Sequence, residues 1–255
     1  MTGALCFAQE GDTKTLSPYF FIEGGDKSLD KLPLKKTDVQ VRINEVIADV
    51  VIKQKYVNEG KRPINARYVF PASTRAAVQG MKMIVGDKVI TARIKEKEAA
   101  QKAFAEAKAA GKSASVLHQH RPNVFTMNVA NIMAGDTLDI ELHYTELLTP
   151  TEGIYEFVYP TVVGPRYSGE AKQDASFDDA WIESPYLKKS KEALQPEWNI
   201  AVNLSAGMKL HDLACPSHET TVQFPSPSTA LISLKDKESR SGGNRDFILK
   251  YRLNN

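Results

Sequence analysis

The chain predicts a mainly β fold, an antiparallel β-sandwich with one α-helix at about 96–110, followed by a linker and a further set of strands. Three observations predict it. Apolar residues recur at every second position in many short stretches. Gly, Pro and Asn clusters separate those stretches. Helical periodicity shows itself strongly in one segment, whereas a parallel α/β sheet would need repeated crossover helices.

The elements follow in order. Before Leu32 the chain is Gly-, Asp- and Lys-rich, except for Tyr19-Phe20-Phe21-Ile22, an apolar patch expected to dock on the main body. Val39, Val41 and Ile43 alternate with Gln40, Arg42 and Asn44, the signature of a half-buried strand. The β-branched run 46–57 is a second strand, with Ala48, Val50, Ile52 and Tyr56 on one parity. Asn58-Glu59-Gly60 supplies turn residues, and Ile64, Ala66, Tyr68 and Phe70 resume the alternation. Pro71 ends that strand, having no N–H to give to a ladder.

Segments 81–85 and 89–94 flank Gly86-Asp87-Lys88 as a hairpin. The 96–110 segment is alanine-rich, with Ala100, Ala103, Phe104 and Ala107 on one helical stripe and Gly111 at its C-terminal end. Strands are predicted at 114–120, 124–129, 137–147 and 154–159. The third has Leu138, Ile140, Leu142 and Tyr144 opposite Asp139, Glu141, His143 and Thr145. Segment 168–196 lacks periodicity and reads as a linker; strand patterns resume near 200–204, 221–224, 230–234 and 247–253, with a Ser/Gly turn at 239–244.

Composition narrows the function. The chain has 255 residues, is 42% hydrophobic and 25% charged, and carries a formal net charge of +2. Its basic residues are scattered, which argues against a nucleic-acid footprint. No run reaches the ~18 apolar residues of a membrane-spanning helix. The two cysteines, Cys6 and Cys215, are too few for a disulfide framework. Residues 1–30 read either as a disordered N-terminus or as the remnant of a secretory signal around Gly3 to Gln9.

Chemistry-bearing residues are few. His118 and His120 share one face of a predicted strand, and His143 could join them as a zinc ligand of a metal-assisted hydrolase, but no carboxylate or cysteine ligand accompanies them. His211, Cys215 and His218 resemble half a zinc site, with Pro216 marking a turn instead. Gly111-Lys112-Ser113 lacks the upstream glycine of a phosphate loop. Asp174, Ser176 and Asp178 depart from a metal-adhesion motif, and Glu96, Glu98 and Glu106 are placed as solvated helix residues. No catalytic residue, cofactor or metal is predicted.

The span from Leu32 to Tyr167 carries an ordered series of short motifs. It begins with Gln54-x-Tyr56-x-Asn58, Pro63-Ile64, Tyr68-Val69-Phe70-Pro71, Glu96-Lys97-Glu98-Ala99 and Gly111-Lys112. It continues through Arg121-Pro122-Asn123-Val124-Phe125, Asn128-Val129-x-Asn131-Ile132, Tyr144, Tyr159-Pro160 and Pro165-Arg166-Tyr167. In this series the chain resembles the VIT family, named for vault proteins and inter-alpha-trypsin inhibitor heavy chains. Asn65 stands where the family often has an acidic residue. The resemblance implies a VIT domain at 31–167, a linker at 168–196, and a β-rich partial domain at 197–255 preceding a von Willebrand A domain. The two ends look like those of bacterial VIT–von Willebrand A proteins of the marine proteobacterial sortase-target type.

It further implies a non-enzymatic, extracytoplasmic module that binds a protein partner, with a von Willebrand A domain in cis; a structural spacer is the alternative. Phe70 and Tyr144 are expected in the core, Pro71 and Gly111 as chain breakers, and Asn128 and Asn131 as side chains bonding local backbone.

Overall fold

Alternation of apolar and polar side chains gives a strand one dry and one wet face, and the described residues of the computed structural model form fifteen strands, most of them with this alternation. It describes residues 17–22, 32–86, 88–92, 115–121, 124–161, 196–241 and 245–253. The first half contains β1 (Tyr19–Ile22), β2 (Leu34–Asn44), β3 (Ile47–Val57), β4 (Ile64–Pro71), β5 (Ala76–Val85) and β6 (Lys88–Ala92). Then come β7 (Ser115–Arg121), β8 (Val124–Ile132), β9 (Thr137–Leu147) and β10 (Ile154–Tyr159). The last stretch holds β11 (Glu197–Ser205), β12 (Leu210–Ala214), β13 (Thr220–Ser226), β14 (Thr229–Leu234) and β15 (Phe247–Leu253). The only described helix is α1 (Glu238–Ser241), inside the segment expected to be a turn. The expected helix at 96–110 lies outside the described residues.

One sheet has eight strands in the order β13-β14-β11-β2-β3-β9-β5-β6; a second has four, β1-β4-β8-β7; a third has three, β10-β15-β12. The long sheet points Val39, Val41 and Ile43 of β2, Val50 and Ile52 of β3, and Leu138 to Tyr144 of β9 inward on alternate positions. The other two sheets cover that inner face, and all three contribute to a single apolar cluster. Ring contacts join the layers: Phe20 meets Tyr56 edge-on at 4.8 Å, Phe70 meets Tyr144 at 5.1 Å, and Trp198 meets Phe247 at 6.4 Å. The apolar patch at Tyr19 to Ile22 does dock, as a strand antiparallel to β4.

Most pairings are antiparallel, as expected. β11 departs from this by running parallel to β2, in register from Glu197 opposite Lys36 to Ser205 opposite Asn44. Trp198, Ile200, Val202 and Leu204 thereby enter the same core as Val39, Val41 and Ile43. Each such side chain contributes roughly 1.5–3 kcal/mol of burial. β15 likewise pairs with β10 from Phe247 opposite Tyr159 to Arg252 opposite Ile154. The strands read from 197 onward thus share sheets and core with the earlier segment. β12 occupies residues 210–214, where the sequence showed no strand period; it is short and bulged, and Asp212 sits at φ +50°.

One irregularity inside β8 is built by two asparagines. Between Ile64 and Ala66 the partner strand advances by three residues, Ile132 to Val129, so β8 carries a bulge. Asn131 takes the extra position at φ +59°, and its N–H donates to Asn65 Oδ1 at 3.0 Å. The bulge moves Ile132 onto the same face as Met127 and Val129, so all three reach the core. Asn131→Val is expected to cost about 2 kcal/mol, because a β-branched side chain resists positive φ. Asn131→Gly is expected to be nearly neutral; chemical denaturation of both variants checks the pair.

Candidate functional site

Of the residues shared with the family motif, Gln54, Tyr56, Tyr68, Phe70 and Tyr144 converge on the inner face, between the long and the four-stranded sheets. Gln54 lies on the inward parity of β3, so an amide must be accommodated in the core. Its Oε1 accepts from Tyr68 Oη at 2.7 Å and from Tyr56 Oη at 3.3 Å, and its Nε2 faces Thr37 Oγ1 at 3.5 Å. A strand of one sheet and a strand of another are tied through one side chain.

Asn58 follows at the end of β3 and is completely buried. Its Nδ2 donates to the carbonyls of Ile132 and Met133, each at 3.0 Å, and lies 3.2 Å from that of Arg62. Its Oδ1 accepts from Gly60 N–H at 2.9 Å, an Asx turn that closes the 58–62 loop. The main chain of Asn58 also donates to Asp136 O and accepts from Gly135 N–H. One asparagine therefore fastens two loops that are far apart in sequence.

At the other end of the same face Ser73 Oγ donates to the buried carboxylate of Glu146 at 2.7 Å, and Arg75 N–H donates to Ser73 Oγ. The buried Tyr144 hydroxyl has no hydrogen-bond partner among the described residues. Burial first, then the nearby Glu146 and Tyr159, hold its phenol above the ordinary range. Tyr56 and Tyr68 are raised by burial too, with lesser contributions from neighbouring tyrosines. Burial thus keeps these three tyrosines neutral at ordinary pH.

The C-terminal strands bring a second polar cluster that the sequence did not signal. Trp198 Nε1 donates to Glu238 O at 3.0 Å, and the buried Glu238 carboxylate accepts from Arg245 Nη2 at 2.8 Å. His218 lies against the rings of Trp198 and Phe247, with Nδ1 2.9 Å from Ser217 Oγ. Ser217 Oγ also accepts from Ile248 N–H. These groups lie far apart in sequence, so only the pairing of β11 and β15 with the earlier strands assembles them. Arg245→Ala is expected to destabilise by about 2 kcal/mol, since it strips a charged donor from a buried carboxylate. Glu238→Gln with Arg245→Ala should recover part of that loss in thermal melts.

Of the residues singled out from sequence, Tyr68, Phe70 and Tyr144 are buried together in the core. Pro71 is the last residue of β4 and pairs with Val124; Phe125 stands opposite Phe70 and is half-buried. Asn128 Oδ1 accepts from Arg67 Nε at 3.0 Å, a side-chain bond and not the local backbone bond expected. At Asn131 the bonded group is the backbone amide. Arg121 ends β7. Gly111, Pro122, Pro165, Arg166 and Tyr167 lie outside the described residues.

The three histidines are dispersed by topology. His118 and His120 lie on β7 in the four-stranded sheet, whereas His143 lies on β9 in the long sheet. Its neighbours Leu142 and Tyr144 point inward, so His143 points to the outer face, where Nε2 meets Asp49 Oδ2 at 2.9 Å. Among the described residues no group of three or more His, Cys, Asp or Glu is placed to hold a metal. Cys215 Sγ and His218 Nδ1 both meet Ser217 Oγ, at 3.6 and 2.9 Å, but His211, Cys215 and His218 form no group placed to hold a metal.

No other described strand layer lies over the outer face of the long sheet. Its residues Lys53 and Lys55 of β3 stand opposite Glu141 and Asp139 of β9, each pair 3.5 Å apart. With Lys36 and Lys82 they line an open depression of about 670 Å³. Exposed pairs of this kind add little stability, so the charges are available for a partner.

Comparison with known proteins agrees with the motif. Residues 34–144 match the vault protein inter-alpha-trypsin domain family, VIT. The chain is 26% identical over 230 residues to mouse (Mus musculus) protein mono-ADP-ribosyltransferase PARP4, covering 89% of this chain and 12% of that protein. It is 34% identical over 141 residues to mouse von Willebrand factor A domain-containing protein 5A, covering 54% and 18% respectively. With human (Homo sapiens) inter-alpha-trypsin inhibitor heavy chain H2 it shares 28% over 131 residues, 51% of this chain and 14% of the relative. The chain thus spans less than a fifth of each of these relatives. Among the described residues no helix is long and apolar enough to cross a membrane. The buried Gln54, Asn58, Tyr68 and Tyr144 and the match at 34–144 lead to one statement: this chain carries a VIT domain.

Proposed function

We propose that the chain is a non-enzymatic protein-interaction module whose partner surface is the outer face of the eight-stranded sheet, and that the partner is a von Willebrand A domain. The observation that carries this is the division of labour between the two faces. Inward polar groups such as Gln54 and Asn58 are bonded to their own fold, while the outer face presents Lys36, Lys53, Lys55, Lys82, Asp139 and Glu141 with no layer over them among the described residues. Charges interspersed on a sheet face select partners by complementarity more than by buried area. The relative named for its von Willebrand A domain gives the partner class.

The remaining details belong to the same reading. The three sheets form a sandwich-like body in which the folded unit runs past the family match to β15. Placement outside the cytoplasm rests on the resemblance to inter-alpha-trypsin inhibitor heavy chains.

The test is a titration of the whole chain with the purified von Willebrand A domain of the mouse relative by biolayer interferometry. Saturable binding is expected, weakened at least about tenfold by Lys53→Glu combined with Lys55→Glu. Absence of a saturable response at about 100 μM domain, or indifference to the double variant, counts against the proposal.

A further inference from the structure

From the β13–β14 hairpin we infer a second binding site, at the free edge of β13, that accepts an extended and uncharged segment of a partner protein by strand addition. β13 ends the long sheet, and every one of its residues is exposed or half-buried. Natural sheet edges are blunted by charges, prolines or bulges, because an open ladder invites pairing with another chain. The stretch 220–234 contains no charged residue, although a quarter of the whole chain is charged and about four would be expected over that length. The opposite edge, β6, carries Lys88.

The side chains match this. Val222 and Phe224 share the parity that faces the core elsewhere in the sheet, since Val222 pairs with the buried Ile232. Nothing covers them among the described residues: Val222 is 37% exposed and Phe224 58%. Leu231, on the outer side of β14, is also exposed. An added strand with apolar residues at alternate positions would extend the inner face and cover Val222 and Phe224 together. Pro225 and the register shift between Gln223 and Ser226 close the ladder at one end, so addition is confined to the five residues from Thr220 to Phe224.

That length also selects the occupant. Two copies joined by this edge alone would bury far less than the roughly 1,000 Å² that a specific dimer needs. A short extended segment needs only the ladder and one or two side-chain seats. The segment must be uncharged, because charges laid against this hairpin would lose water and find no counter-charge.

The probe is a capped hexapeptide, Thr-Ala-Leu-Ile-Ser-Leu, the sequence of β14 that already pairs with β13 on its other side. Amide chemical-shift titration of the whole chain is expected to give saturable changes confined to 220–226, with Kd between about 10 μM and 1 mM. Val222→Lys and Phe224→Lys, both at exposed positions, should each weaken binding at least about tenfold. The peptide N-methylated at alternate residues should not bind. Failure to saturate by about 2 mM, equal binding to either lysine variant, or equal binding of the N-methylated peptide overturns the inference. A concentration-dependent dimer in sedimentation that the peptide does not dissociate also overturns it, by making a second copy the occupant.

Discussion

Asn58→Asp is expected to lower the unfolding free energy by about 4 kcal/mol at neutral pH, more than Asn58→Ala, at about 3 kcal/mol. The asparagine donates to the carbonyls of Ile132 and Met133 and reaches that of Arg62, while accepting from Gly60 N–H. Alanine leaves those carbonyls without their donor in a site closed to water. Aspartate keeps the acceptor for Gly60 but points a second carboxylate oxygen at the carbonyls, turning attraction into repulsion inside the fold. The surrounding carbonyls and burial would raise the pKa of the new carboxyl. Its deficit should therefore shrink as pH falls, because the protonated acid regains one donor. Urea unfolding of both variants at two pH values checks the order and the pH trend; an aspartate variant as stable as wild type would remove Asn58 from its role as fastener.

Alkaline unfolding is expected to be steep and to coincide with tyrosine ionisation. Tyr56, Tyr68, Tyr144 and Tyr159 are all held above the ordinary phenol value, each chiefly because burial disfavours the charged ring. A group whose pKa is higher in the folded state is bound to its proton there when the unfolded chain has already released it. The stabilisation is complete below the unfolded value near 10 and is lost as pH rises above it. Each tyrosine contributes about 1.4 kcal/mol per pH unit in that window, so these four alone contribute about 5 kcal/mol per unit, and Tyr19 and Tyr251, also raised by burial, steepen the loss further. A fold stable by about 5–15 kcal/mol then collapses within roughly one to three units above pH 10. Circular dichroism and tyrosinate absorbance should change together.

Tyr144→Phe isolates one member of that set. Its hydroxyl is buried without a partner among the described residues, so removing it relieves a desolvated polar group. The variant is expected to be more stable by about 1 kcal/mol at neutral pH. Its alkaline slope should be shallower by about 1.4 kcal/mol per pH unit. Loss of stability in this variant would show that the hydroxyl is satisfied in solution.

Strand positions were legible because periodicity is a local property: the alternation at 137–147 is β9 and the pattern at 39–44 is the second half of β2. Prolines and glycines were legible for the same reason, as Pro71 at the end of β4 and Gly86 at φ +56° show. The asparagines were harder. Asn131 and Asn58 were visible as motif residues, yet their roles depend on Asn65 and on the loop near Met133. Of the Trp198–His218–Glu238–Arg245 cluster only His218 stood out in the sequence, and as a zinc-ligand candidate, since the four members have no common spacing.

The sequence by itself determined the class of fold, most strand segments and the family, because those follow from side-chain alternation and from turn residues acting on their own neighbours. Tertiary structure alone decided that β11 runs parallel to β2, that β15 joins β10, that His143 faces away from the sheet bearing β7, and that β13 is left with an open edge. Pairing between strands distant in the chain is settled by whole apolar faces finding cover, and no local pattern encodes which face will cover which.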